Sequence, residues 1–302
     1  MKSNTIINSS KPITADPWNI HIKPNDKLSI LNFQELWRYR DLYTLLVKRN
    51  IITQYKQTIL GPAWYVIQPV ITVIMYMIVF GGIAGIATDG IPQPLFYLSG
   101  VCLWGYFSDC LTRVSNTFVT NSGVFGKVYF PRLIVPLSDI TSNLLRFGIQ
   151  FGLFIAVYAF YAITVENLSA HLTWFVLLFP VILLCIAGLA LGVGTLISSM
   201  TTKYRDLRIL FNFIVQLWMY ATPIVYPLSQ ASGKSFLGIS LYNIMCINPV
   251  TPLVETFKYG FLGAGSFIGW GWLSYSLAFS VLSSILGMLV FNKVQKNFMD
   301  TV

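Results

Sequence analysis

A long uncharged run within the first hundred residues constrains this chain more than any other feature. Between Trp64 and Thr88, twenty-one of the twenty-five residues are apolar or glycine, and none is charged. A helix of about 20 such residues crosses the hydrocarbon core of a bilayer. The run therefore predicts a membrane-spanning helix, and with it a chain that folds in lipid.

Further apolar runs indicate that the chain crosses the membrane several times. The chain has 55% hydrophobic and 10% charged residues and a mean hydropathy of +0.66. These values indicate that more than one segment of the chain is embedded in the membrane. The strands of outer-membrane β-barrels are segments of about ten residues in which apolar and polar residues alternate, whereas these runs are continuously apolar. A β-barrel is therefore not expected. We predict an all-α, polytopic membrane protein with six transmembrane helices. The five further spans cover roughly residues 95–118, 134–163, 172–199, 209–228 and 270–292.

The distribution of positive charge indicates the orientation of the chain. The net charge is +9, and sixteen of the twenty Lys and Arg residues fall in four regions. These regions alternate with loops around 88–94 and 164–171 that contain no Lys or Arg, and with a longer loop at 229–269 that contains two. The positive-inside rule then places both termini in the cytoplasm. A nucleic-acid surface is not expected, because the membrane spans divide the charge. The four basic regions are residues 1–63, 127–132, 203–208 and 293–296.

The chain ahead of the first span divides into two parts. Residues 1–30 are rich in Ser, Asn, Lys and Pro, and we expect a flexible cytoplasmic tail with no chemistry. Within residues 31–60, apolar residues recur every three or four positions and basic residues lie on other faces. This pattern predicts an amphipathic helix on the inner membrane surface. A helix packed against a soluble partner is the alternative. Residues 61–298 then form the six-span domain.

The predicted loops differ between the two sides of the membrane. On the inner side, residues 124–136 (VFGKVYFPRLIVP) and 201–208 (TTKYRDLR) form compact connections on which a cytoplasmic motor could push. On the outer side, prolines break the fifth span at residues 221–227 (ATPIVYP). Residues 236–264 are too interrupted to span, so we predict two short re-entrant helices there. A seventh span is disfavoured, because it would place the basic C-terminal segment outside.

No catalytic or metal-binding motif is apparent. Residues 233–235 (GKS) resemble the end of a phosphate-binding loop, but Leu228 stands where that motif needs glycine and no strand precedes it. The two histidines, His21 and His171, have no carboxylate or cysteine neighbours at ligand spacing. We interpret the four cysteines as packing residues. The chain is expected to bind no cofactor and not to be an enzyme, so a separate polypeptide would use ATP and Mg²⁺.

Charged residues within predicted spans are costly and are functional candidates. Asp109 and Arg113 lie one turn apart on the second span, and Asp139 and Arg146 about two turns apart on the third. One interpretation is a charge network that joins these two spans near the inner side. The other is that Arg113 or Arg146 meets an anionic headgroup or phosphate that enters from the cytoplasm.

Aromatic and glycine residues give weaker signals. Most aromatic residues near span ends are interpreted as interfacial belts. Tyr76, Trp104 and Trp218 lie deeper and could line a path for sugar rings. Three glycine pairs at four-residue spacing would allow close helix packing. These pairs are Gly81 with Gly85, Gly148 with Gly152, and Gly188 with Gly192.

Five segments in a fixed order resemble the membrane subunit of type-2 ABC exporters for polysaccharides. The resemblance covers about residues 30–298 and is nearest to the Wzm-like O-antigen permease family, with capsule and teichoic-acid export relatives. No single segment decides it, but the ordered set is fairly specific. The segments are YKQTILGPAW (55–64) running into Gln68 and Pro69, KVYFPRLIVP (127–136), TTKYRDLR (201–208), ATPIVYP (221–227) and NPVTPLVETFKYGFLG (248–263).

The resemblance implies a function and a set of partners. Two copies of a six-span subunit would pair with a cytoplasmic ABC ATPase in the bacterial inner membrane. A lipid-linked (undecaprenyl-linked) polysaccharide would pass between the copies, in contact with membrane lipid. The segment formed by Gly126, Lys127, Val128, Tyr129, Phe130, Pro131 and Arg132 would contact the ATPase. The alternatives are a drug or lipid exporter of the same superfamily, and a membrane enzyme that acts on lipid-linked sugars.

Overall fold

The computed structural model describes residues 33–56, 58–128, 130–165, 169–201, 206–236, 238–263, 265 and 267–297. The predicted tail (1–30) and Tyr129 lie outside these residues. The described chain is helical apart from one small hairpin. Its helices are α1 (Phe33–Arg38), α2 (Arg40–Tyr55), α3 (Trp64–Tyr76), α4 (Gln93–Ser115), α5 (Thr117–Phe125), α6 (Ile134–Thr164), α7 (Phe179–Thr201), α8 (Leu207–Tyr220), α9 (Leu241–Ile247), α10 (Val250–Leu262) and α11 (Trp270–Asn297).

The hairpin is a small departure from the all-α prediction. Strand β1 (Ser235–Phe236) pairs antiparallel with β2 (Ile239–Ser240), and Ser235 lies opposite Ser240. Gly238 supplies the positive φ of +79° that the tight connection requires. The hairpin occupies an exposed loop and leaves the helical architecture unchanged.

Four helices in the described residues are long and apolar enough to cross a membrane. They are Gly61–Ile83, Ile134–Thr164, Trp174–Thr201 and Trp270–Gln295, and each coincides with a predicted span. The first continues beyond α3 as a π-helix, Met77–Ile83. The protein is therefore an integral membrane protein by the length and composition of these helices.

The other two predicted spans do not meet the same criterion. Helix α4 has 23 residues but carries Asp109 and Arg113. Helix α8 has only 14 residues and ends at Tyr220, eight positions before the predicted end. Its early end has a local cause, because Pro223 and Pro227 cannot continue a helix.

Helix α4 lies at the centre of the bundle. It packs against α3, α6, α7 and α10, and residues along its whole length have no exposed surface. Cys102 and Cys110 are among them, and all four cysteines are buried and free, in agreement with their interpretation as packing residues. A helix surrounded by protein does not need a continuously apolar surface, which explains why α4 is less apolar than the spans around it.

Helices α7 and α11 pack at very short range. A Cβ atom on Gly192 would lie 2.3 Å from the backbone of Ser283, and one on Gly287 would lie 2.3 Å from the Gly192 carbonyl oxygen. Ser284 Oγ donates across the same contact to the Gly188 carbonyl at 2.8 Å. The predicted close packing at Gly188 and Gly192 is thus confirmed, whereas Gly148 and Gly152 have open space around them in the single chain.

Helices α1 and α2 form the predicted helical region before the first span, with a break at Tyr39. Helix α2 lies across the N-terminal half of α6. Leu46 is buried between them, and the Tyr43 and Thr141 hydroxyls are 2.6 Å apart. Lys48 and Arg49 are exposed, but so are Leu45 and Ile52 of the same helix. The predicted separation of apolar and basic faces is therefore only partial.

The predicted outer segment contains two short helices, α9 and α10, separated at Asn248 and Pro249. Helix α10 is almost entirely buried, including Lys258, whose Nζ atom donates to the Pro223 carbonyl at 2.5 Å and lies 3.5 Å from Glu255 Oε1. This lysine ties α10 to the end of α8. Helix α10 stops at Gly263, whose φ of +61° is the left-handed conformation that glycine adopts readily.

The α7–α11 contact leads to a stability prediction. Gly192→Ala should destabilise the protein by about 1–3 kcal/mol, because the added methyl group forces the two backbones apart. Gly148→Ala is the control, since nothing lies within 4 Å of its Cβ position. Thermal unfolding in detergent measures both. Equal melting temperatures for the two variants would contradict the packing described.

Candidate functional site

An open cavity of about 700 Å³ lies between α4 and α8. Helix α4 contributes one face, with residues at positions three or four apart and their neighbours, whereas α8 contributes most of its circumference. The α4 lining is Trp104, Ser108, Asp109, Thr112 and Arg113. The α8 lining is Asn212, Phe213, Val215, Gln216, Leu217, Met219 and Tyr220.

The ends of the cavity differ in chemistry. The rings of Phe107 and Trp218 pack edge to face with their centroids 5.3 Å apart. This contact sets the register between the antiparallel helices α4 and α8. Arg113 therefore lies near the start of α8, and Trp104 near its end, beside Tyr220. The nine residues from Trp104 to Arg113 span about 14 Å of helix. The cavity thus has a cationic end and an aromatic end.

Asp109 is neutralised by a residue from the neighbouring helix. Arg146 Nη1 of α6 lies 2.5 Å from Asp109 Oδ2, and the two side chains are 20% and 28% exposed. Arg146 Nη2 also donates to Gln68 Oε1 at 3.1 Å, and its guanidinium lies 5.2 Å from the ring centroid of Tyr65. Arg146 is thus held by α3 and α4 together, and it lies outside the cavity lining.

Arg113 is held differently. The Gln54 amide, oriented to satisfy both of its neighbours, accepts from the two Arg113 Nη atoms at 2.7 and 3.0 Å and donates to the Tyr65 hydroxyl. Among the described residues, no carboxylate lies within 4 Å of Arg113. Arg113 lies at the cavity wall, where Asp109 and Asp139 interact with its charge electrostatically without forming an ion pair with it.

The charge network that the sequence suggested is present, but its pairing differs. Asp139 and Arg146 do not pair along α6, because seven residues separate them by about 10 Å of helix. Asp139 instead accepts from Asn50 Nδ2 of α2 at 2.9 Å. Asp109 pairs with Arg146 rather than with Arg113 on its own helix. Each carboxylate thus joins two helices.

The three deep aromatic residues occupy different places. Trp104 lines the cavity. Tyr76 packs edge-on against Tyr97 and its hydroxyl lies 3.5 Å from Met219 Sδ, beside the lining. Trp218 Nε1 donates to Asn248 Oδ1 at 3.0 Å and so joins α8 to the loop between α9 and α10. A path-lining role for Tyr76 and Trp218 stays a prediction.

The predicted coupling segment lies between α5 and α6 and follows a helix that the sequence did not predict. Helix α5 begins where α4 breaks at Asn116, whose side chain donates to the Thr112 carbonyl. Gly126, Lys127 and Val128 are exposed, Phe130 is buried and Pro131 is half-buried. Arg132 Nη1 donates to the Gln295 carbonyl of α11 at 2.7 Å. The segment is thereby fixed to the C-terminal end of α11.

Sequence reasoning missed the neutral polar residues of the cavity. Ser108 and Thr112 on α4, and Asn212 and Gln216 on α8, are each one turn apart and all line it. The four-residue spacing of polar residues within two apolar runs was the signal that could have found them.

Four long apolar helices, with a partly polar cavity between α4 and α8, define a polytopic membrane protein. Residues 41–262 match the family described as ABC-2 type transporter, and the chain belongs to this family. In such systems the ATPase is a separate subunit. The family assignment confirms the resemblance found in the sequence.

Relatives with assigned names are similar over most of their length. The O-antigen export system permease protein RfbA of Myxococcus xanthus is 26% identical over 74% of this chain and 82% of its own. A protein of the same name from Klebsiella pneumoniae is 24% identical over 86% of this chain and 94% of its own. The polysialic acid transport protein KpsM of Escherichia coli is 22% identical over 82% of this chain and 90% of its own.

The two arginines should differ in their contribution to stability. Arg146→Met should destabilise the protein by about 3 kcal/mol, the low end for removing one partner of a buried ion pair, because this pair is partly exposed. Arg113→Met should cost less, about 1.5 kcal/mol, the low end for hydrogen bonds made by a charged group, since it breaks hydrogen bonds to a neutral amide and no ion pair. Chemical unfolding in detergent measures both variants.

A double variant provides the control for this comparison. Asp109→Leu combined with Arg146→Met removes both charges and should recover a large part of the stability lost in Arg146→Met. Additive losses in the double variant would contradict a direct interaction between the two side chains.

Proposed function

We propose that this chain is the membrane-spanning subunit of an ATP-driven exporter that moves a lipid-linked polysaccharide, such as O-antigen, across the bacterial inner membrane. The observation that carries the proposal is the α4–α8 cavity, with its cationic end at Arg113 and its aromatic end at Trp104. A phosphate-linked glycan has matching chemistry, because its linkage is anionic and its sugars are neutral. The names of the relatives support the same substrate class.

The proposed topology has six spans with both termini in the cytoplasm. The four apolar helices are joined by α4, which is shielded by protein, and by α8. Helix α8 is about 21 Å long, short of the 30 Å core. The non-helical segment after it completes the crossing, and Ile224 and Val225 in that segment are buried. Helices α9 and α10 are the re-entrant pair on the outer side, and α2 lies on the inner surface.

A second copy of the chain would complete the path. The cavity is open on one side, and the adjoining helices α3 and α8 carry exposed apolar side chains, among them Ile74, Ile78 and Leu210. Part of this surface faces membrane lipid, and part faces the partner copy. A path between two copies explains why one chain forms only a half-open cavity.

The ATPase would bind the inner end of the bundle, around the exposed residues Gly126, Lys127 and Val128. That partner would bind ATP and Mg²⁺. Arg132 links the segment to α11 through the Gln295 carbonyl, and its guanidinium lies 5.4 Å from the Phe125 ring centroid. Movement of the ATPase would then reach both α5 and the last span.

The anionic linkage of the substrate would be met by Arg113. Arg113→Gln should reduce glycan export at least tenfold, with normal dimerisation and ATPase binding, because the neutral amide cannot attract a phosphate. Arg40→Gln, on the exposed face of α2, is the matched control and should retain export. Surface glycan in cells that carry each variant as their sole copy gives the measurement.

The outcomes separate this proposal from its alternatives. Loss of folded protein in Arg113→Gln would assign that arginine to structure alone. If removal of the gene leaves surface glycan unchanged but alters the flux of a drug or lipid, the cargo assignment is wrong.

The docking site for the ATPase can be tested by charge reversal. Lys127→Glu should lower co-purification of the ATPase with this chain, because it places a repulsive charge in the contact region. Lys234→Glu, the same change in the outer loop, should have no effect. Equal amounts of ATPase bound to both variants would move the docking site elsewhere.

A further inference from the structure

Neutral polar side chains form two facing rows within the cavity. Ser108 and Thr112 lie one turn apart on α4, and Asn212 and Gln216 lie one turn apart on α8. The rows occupy the stretch between the charged end at Arg113 and the aromatic end. Among the described residues, these four side chains make no ion pair and no hydrogen bond to another helix. No structural role is therefore assigned to them.

The two amides on α8 make no hydrogen bond with any part of the chain that the structure describes, and both are exposed. In hydrocarbon, an amide without a partner is strongly unfavourable. The exposed residues of α8 from Ile209 to Tyr220 that lie outside the lining are all apolar, namely Ile209, Leu210 and Ile214. From Ile209 to Tyr220, the exposed polar residues of α8 therefore lie only in the cavity lining, as expected if that lining meets water or a hydrogen-bonding ligand.

The chemistry of the rows favours sugar hydroxyl groups. Amides and hydroxyls both donate and accept hydrogen bonds, and they carry no charge that would retain an anion. At the outer end, the exposed ring of Tyr220 offers a flat apolar surface of the kind against which sugar rings pack, and Trp104 adds only a small exposed edge. Repeated neutral partners along a helix suit a polymer, since each sugar that leaves one site meets an equivalent site one turn further on.

We propose that Ser108, Thr112, Asn212 and Gln216 form a track that hydrogen-bonds the sugar hydroxyl groups of the glycan while it crosses the membrane. The inference rests on the proposed function and names the residues through which the chain contacts its substrate. The track binds weakly and without charge, so that the glycan is guided and not held.

The test removes hydrogen bonding and preserves volume. Asn212→Leu with Gln216→Leu should reduce ATP-dependent glycan export at least tenfold, with unchanged expression, dimer cross-linking and ATPase binding. The conservative pair Asn212→Gln with Gln216→Asn should keep export within threefold of the wild type. Leu210→Ile with Ile214→Leu, on the other side of the same helix, is the matched control and should export normally.

Ser108→Ala with Thr112→Val tests the second row and should also reduce export. Export within twofold of the wild type in both track variants would overturn the proposal. Loss of the dimer in the Asn212 and Gln216 variant would also overturn it, because the amides would then bind the second copy. If Arg113→Gln impairs export and the track variants do not, the track fails and the proposed function stands. If the wild-type chain exports no glycan, both fail.

Discussion

The ion pair between Asp109 and Arg146 is the interaction on which the arrangement of the site depends. It joins α4 to α6 at 2.5 Å, and the same guanidinium contacts Gln68 and Tyr65 on α3. A carboxylate inside a membrane bundle requires a partner, and the pair supplies one without using Arg113. Arg113 therefore remains at the cavity wall, where it is hydrogen-bonded to a neutral amide and forms no ion pair with a described residue. The structural pair thus leaves the Arg113 guanidinium at the site.

The scaffold around this pair separates rigid from adaptable parts. Helices α7 and α11 approach so closely at Gly192 and Gly287 that they form a fixed support against which α4 packs. Helix α8 contacts the bundle through fewer buried residues, chiefly Phe211 and Val215. Lys258 holds the segment just beyond its C-terminal end through the Pro223 carbonyl. One wall of the cavity, α4, therefore belongs to the buried core. The other wall, α8, is held mainly near its C-terminal end.

The sequence predicted the helices better than their contacts. An uncharged run such as Trp64–Thr88 has one stable solution in lipid, so its fold was predictable. The partner of Asp109 was not, because spacing along α4 gives no information about which residue of α6 faces it. The early end of α8 was missed because apolarity continues past Tyr220 although the helix does not. Asn212 and Gln216 were missed because two amides barely change the composition of an apolar run.

The central claim is that the glycan passes through the α4–α8 cavity, and site-specific photo-cross-linking during ATP-driven transport tests it most directly. A photoreactive residue at Phe213, which is exposed in the cavity, should capture the glycan. The same residue at Leu184, 73% exposed on α7 and outside the cavity lining, should not. Capture at Leu184 without capture at Phe213 would contradict this account.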